Sequence, residues 1–166
     1  MRILGISGSL QARSANRALL EVARDDEPAG VELVIFDGLE ALPHFNPDLD
    51  GDDPPAAITA FRALVADADG VLIATPEYAH GVPGALKDAL DWLVGTGEIY
   101  EKPVVIVNAA AIDDRGAMAR GELERTLRAQ GADVLASETV LVPPRADPHE
   151  VPEAHASMRA HLARFV

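Results

Sequence analysis

Apolar residues fall along this chain in two alternating kinds of stretch. Short runs of Ile, Val and Leu without polar alternation occupy Arg2 to Ser7, Val31 to Phe36, Gly70 to Thr75, Pro103 to Asn108, and Val134 to Ala136 with an extension toward Val142. Such runs suit strands buried on both faces. Between them apolar residues recur at helical spacing. Ala15, Ala18, Leu19 and Val22 mark one face, Ile58, Phe61, Leu64, Val65 and Ala68 a second, and Leu86, Ala89, Leu90 and Leu93 a third. Ala119, Leu123 and Leu127 mark a fourth, closed by Gly131, and Val151, Met158, Leu162 and Phe165 a last. Five strand–helix alternations predict an α/β fold with a five-stranded parallel sheet, order 2-1-3-4-5, and helices on both faces. That order puts the topological switch between the first and third strands, where ligands bind outside the carboxyl ends. The loops after Ser7 and Thr75 are thereby singled out.

Composition narrows the class. The 166 residues carry 14 Lys and Arg against 27 Asp and Glu, a formal charge of −13, and no cysteine. This length predicts one domain over residues 1–166 with an adequate core. The acidity disfavours nucleic acid and anionic lipid. Zero cysteine removes thiolate chemistry, disulfides and Cys-ligated metals. No apolar run approaches a membrane span and the N-terminus lacks a secretory pattern, so a cytoplasmic protein is expected. The longest connection, Asp37 to Pro55, holds four prolines and five aspartates, and loops of that length are usually functional or interfacial.

The loop Gly8-Ser9-Leu10-Gln11-Ala12-Arg13-Ser14-Ala15-Asn16 enters a helix. Free N–H groups and the dipole at a helix start suit a phosphate, with Ser9 and Ser14 offering hydroxyls, Gln11 and Asn16 amides, and Arg13 a charge. Ser14 also reads as an ordinary N-cap. Neither a GxGxxG fingerprint, a Walker loop nor a GxSxG elbow is present. The second loop, Thr75-Pro76-Glu77-Tyr78-Ala79-His80-Gly81-Val82-Pro83-Gly84, combines a stiff exit with room for a flat ligand beside Tyr78. His80 has no second ligand at metal spacing, so no metal site is expected.

The segments GSLQARSANRAL and TPEYAHGVPGALKDALDW resemble the NADPH-dependent FMN reductase family of flavodoxin-like quinone, azo-dye and chromate reductases. Leu42 to Asp48 resembles that family's loop after the second strand. The resemblance implies FMN as cofactor, with its phosphate on Ser9, Gln11, Ser14 and Asn16 and its ring on Pro76, Glu77, Tyr78 and Ala79. NADPH or NADH is the implied co-substrate, a quinone-like, azo or other small molecule the acceptor, and no catalytic side chain is required. A homodimer or homotetramer is implied, with Asp37 to Pro55 as the expected subunit contact. The chain departs from the family at Gln11, where Arg is usual, at Ala79 and Gly81, where Asn and Ser are common, and at Asn108 to Ala111, which replaces a Ser-containing turn. Two rival readings are a flavodoxin-type electron carrier and an α/β domain that has lost FMN binding.

Overall fold

The computed structural model describes all residues, 1–166. Five strands, β1 (Arg2–Ser7), β2 (Glu32–Phe36), β3 (Gly70–Ala74), β4 (Pro103–Ala110) and β5 (Asp133–Leu141), form one sheet in the order β2-β1-β3-β4-β5, every neighbouring pair parallel. The helices α1 (Ala15–Asp25), α2 (Ala56–Asp67), α3 (Gly84–Asp91), α4 (Ala117–Ala129) and α5 (Pro152–Leu162) make the crossovers.

Side chains of each strand alternate between two separate cores. Ile3, Leu72, Val105 and Val107 pack with Leu19, Val22, Met158 and Leu162 of α1 and α5. Leu4, Ile6, Val71, Ile73, Val104 and Ile106 pack with Phe61, Val65, Leu86, Leu90 and Leu123 of the other three helices. Because both faces are apolar, the period-2 signal of a half-exposed sheet is absent. Each fully buried Leu, Ile or Phe contributes about 1.5–3 kcal/mol from leaving water.

Two boundaries differ from the sequence reading. β4 runs on to Ala110 and β5 begins at Asp133 and reaches Leu141, because the two strands extend each other's ladder as far as Ala110–Leu141. Asp113 to Arg115 form a turn ahead of α4, and the helix starts after Gly116.

The long Asp37–Pro55 connection is fastened to its own chain. Trp92, fully buried, donates its indole N–H to Pro43 O at 2.9 Å and meets the Phe45 ring edge-on at 5.1 Å. Arg62 on α2 donates Nε–H to Trp92 O at 3.0 Å and Nη2–H to Asp50 Oδ1 at 2.7 Å. Asp88 on α3 accepts from His44 Nδ1 at 2.6 Å.

Candidate functional site

The β1–α1 loop leaves the sheet hard against the end of β3. Gly8 donates its N–H to Ala74 O at 2.8 Å, and a Cβ on Gly8 would lie 2.5 Å from Thr75 Oγ1. Two hydroxyls then curl the loop: Ser7 Oγ accepts the Ser9 N–H at 3.3 Å and Ser9 Oγ accepts the Gln11 N–H at 3.2 Å. Ser14 caps α1, accepting the Arg17 N–H at 3.4 Å. The N–H groups of Ser14, Ala15 and Asn16 have no acceptor in the chain and point out of the helix start. Asn16 is buried, and its Oδ1 accepts the Ala109 N–H at 2.9 Å, sewing α1 to the end of β4.

The segment after β3 folds into a two-residue hairpin. Tyr78 and Gly81 exchange N–H to carbonyl bonds at 3.1 and 3.0 Å, and the tip residues Ala79 and His80 have φ of 49° and 64°. Positive φ at both central positions marks a type I′ turn, which favours Asn-Gly. An alanine at the first of these positions departs from that preference.

Two carboxylates staple this hairpin to α4. Gly116 precedes the helix and has no side chain to cap it; Glu77 Oε2 does so instead, accepting the N–H groups of Met118 and Ala119 at 3.1 Å each. These backbone donors, Ala119 foremost, and His80 at 3.3 Å from Oε1 hold the Glu77 carboxyl below its usual range. From the helix side, Glu122 Oε2 accepts the Val82 N–H at 2.8 Å.

The β4–α4 turn is set by a buried polar cluster. Asn108 donates Nδ2–H to Arg115 O at 2.8 Å and accepts from Arg120, which also donates to Thr139 Oγ1 at 2.6 Å. Burial pushes the Arg120 guanidinium below the usual arginine range. Gly116, at φ 94°, cannot be replaced freely, because a Cβ there would collide with the Asn108 amide.

These loops surround a cleft of about 1090 Å³ at the carboxyl ends of β1, β3, β4 and β5. Its floor is backbone and small side chains at Ala109, Ala110 and Ala111; one wall holds Ser14 and Ala15, another Pro76 to Tyr78, and a third the β5–α5 connection from Val142 to His149. Of the eight residues expected to hold a cofactor, Ser14, Pro76, Glu77 and Tyr78 line this cleft. Ser9 and Gln11 instead line a smaller hollow of about 380 Å³ beside Phe36 and Asp37, and Ser9 is linked to the cleft by Tyr78 Oη at 3.5 Å. Asn16 lies beneath the floor, and Ala79 sits at the hairpin tip. The Glu77 side chain is committed to α4, so only its backbone is free to meet a ring. Sequence reasoning missed the β5–α5 wall altogether. Its Pro-Pro-Arg turn was the available signal.

The model of the family described as NADPH-dependent FMN reductase matches residues 1–147. The chain belongs to that family. It is 36% identical over 129 residues to an NAD(P)H-dependent FMN reductase of Pseudomonas aeruginosa, covering 76% of this chain and 69% of the relative. It is 32% identical over 109 residues to a quinone reductase of Escherichia coli, covering 64% and 58%. The fold is that of FerB, a flavoenzyme NAD(P)H:(acceptor) oxidoreductase from Paracoccus denitrificans, with a TM-score of 0.77 at 22% identity over 99% of this chain and 96% of that one. By family the chain is an oxidoreductase with FMN as cofactor and NAD(P)H as reductant. No helix is long and apolar enough to cross a membrane.

The residues present fit FMN. Three unused N–H donors and a hydroxyl at a helix start suit a phosphate, and a floor of alanines beside a rigid hairpin suits a flat ring. The volume lies just above the usual range for small-molecule pockets, about 300–1,000 Å³.

Proposed function

We propose that this protein is an FMN-dependent NAD(P)H oxidoreductase acting on quinone-like or azo acceptors in the cytoplasm. The observation that carries this reading is the cleft itself, where an anion-binding helix start, a flat floor and a stapled hairpin converge on one open space. Bound FMN supplies two-electron redox chemistry by taking hydride from a nicotinamide and returning electrons to an acceptor.

The chain's own part is to bind and orient. Ser14, Ala15 and Asn16 offer backbone N–H groups to the phosphate, Ser14 adds a hydroxyl and Arg13 a charge, so the absence of an arginine at position 11 is offset. Ser9 supports the loop through Tyr78 and the Gln11 N–H. Backbone of Pro76, Glu77, Tyr78 and Ala79 supports the ring edge, a role that the Ala79 and Gly81 departures leave intact. The space between hairpin and β5–α5 wall admits nicotinamide and acceptor in turn, and no side-chain acid or base is needed.

A homodimer or homotetramer is carried over from the family resemblance, with exposed Leu10, Tyr78, Ile112 and Met118 available to its contacts. The anchored Asp37–Pro55 loop presents exposed Leu49 as its own apolar contact. Purified protein incubated with FMN should show the spectrum of oxidised flavin and oxidise NADPH at 340 nm, faster with a quinone. A protein that stays colourless with excess FMN overturns the reading.

A further inference from the structure

Arg145 is the third residue of a turn, Pro143 to Ala146, closed by the Ala146 N–H donating to Pro143 O at 3.1 Å. Its φ is 65°. Proline second and positive φ third define a type II turn, whose third position belongs to glycine or asparagine. An arginine held there is strained, and strain that persists in a ligand cleft points to use.

Arg145 lines the cleft, is exposed, and has no carboxylate partner. Of the charged residues lining the cleft, Arg17 is neutralised by Glu21 and Asp37, Glu77 is engaged by the start of α4 and Asp147 by His149, whereas Arg115 and Arg145 have no carboxylate partner. His149 lines the same wall, with Nδ1 held 2.9 Å from Asp147 Oδ1 and Nε2 left free. The wall is built to hold still. Asp147 also accepts the His149 N–H at 3.1 Å, and His155 bonds the His149 carbonyl at 3.0 Å and Asp26 at 2.7 Å.

The single FMN phosphate is already provided for at the start of α1. Arg145 and His149 on the β5–α5 wall, and Arg115 on the β4–α4 turn, are therefore available to another anion on a molecule that shares the cleft. We propose that Arg145, with Arg115 and His149, forms a second anion subsite that takes the 2′-phosphate of NADPH and sets its preference over NADH. The inference rests on the reading of the cleft as the FMN site. A terminal dianion suits an exposed guanidinium at a cleft rim, where a planar fork engages two phosphate oxygens. The pyrophosphate, shared by both nicotinamides, would give no discrimination.

The test is Arg145→Gly. Glycine takes positive φ without strain, so Tm should not fall, whereas a merely structural arginine would lower it. In the holoprotein the NADPH-to-NADH ratio of kcat/KM should drop about tenfold or more, carried by KM. Independently of turnover, calorimetry should show wild type binding 2′,5′-ADP more tightly than 5′-AMP, and the variant losing that difference. Equal losses with both nicotinamides would assign Arg145 to the pyrophosphate, and weakened FMN binding would assign it to the cofactor; either overturns the subsite while the FMN reading stands. Wild-type protein that takes up no FMN overturns both.

Discussion

Glu122 on α4 accepts the backbone N–H of Val82 at 2.8 Å, closing from one side the connection that Glu77 closes from the other. The hairpin and the helix start therefore hold each other in place. Glu122→Ala should cost about 1.5–3 kcal/mol, the usual net value of a hydrogen bond to a charged acceptor. Thermal melts of the apoprotein measure this, and FMN titration should show weaker binding because the ring edge loses its support. Glu77→Gln should act in the same direction. An unaltered melting curve for both variants would show that the staple contributes nothing.

Ala79→Gly should stabilise. A Cβ at φ 49° is strained, and glycine relieves it by about 0.5–1 kcal/mol. FMN affinity should be unchanged, since the proposed contact at this position is backbone. Urea unfolding reads the first effect and fluorescence quenching the second.

Ser14→Asp separates capping from phosphate binding. Aspartate caps a helix about as well as serine, so α1 should remain intact by circular dichroism. A carboxylate beside the FMN phosphate should lower affinity by about ten- to a hundredfold through like-charge repulsion. Unchanged affinity would move the phosphate elsewhere.

Much of the fold was legible because both sheet faces are buried. Ile3 and Leu4 face different cores, so the run reads as continuous apolar sequence, and five such runs with helical stripes between them leave few topologies. Ser14 as cap was legible for a similar reason, since capping is local. Pro76 to Tyr78 were legible from their place at the topological switch, but the contacts that hold the loops together were not. Glu77 finds its partners at Met118 and Ala119, and Asn16 finds Ala109; contacts between residues so far apart in the chain leave no periodic or local trace. Arg145 escaped because its role depends on a turn type that proline suggests but only the backbone reveals.

His155 makes the third wall sensitive to pH. The carbonyl of His149 and then the carboxylate of Asp26 both favour the protonated ring, raising its pKa above the ordinary 6.5. A raised folded pKa stabilises fully below the unfolded value and loses that contribution as pH rises through the folded one. The Tm difference between wild type and His155→Gln should accordingly be largest below pH 6.5, the ordinary histidine value, and shrink as the pH rises above it. Protection of the amides from Val142 to Val151 against hydrogen exchange, relative to their intrinsic base-catalysed rates, should fall over the same interval in wild type but not in His155→Gln. A pH-independent difference would remove His155 from the anchor.

The fastening of Pro43, Phe45 and Asp50 by Trp92 and Arg62 changes what the longest connection means for the molecule in a cell. A proline- and aspartate-rich stretch of this kind ordinarily invites proteases, which need an extended, detachable segment. Here cleavage first requires prying loose an aromatic pair and a buried guanidinium, so the durability of this region against digestion follows the integrity of the α2–α3 core and not the length of the loop.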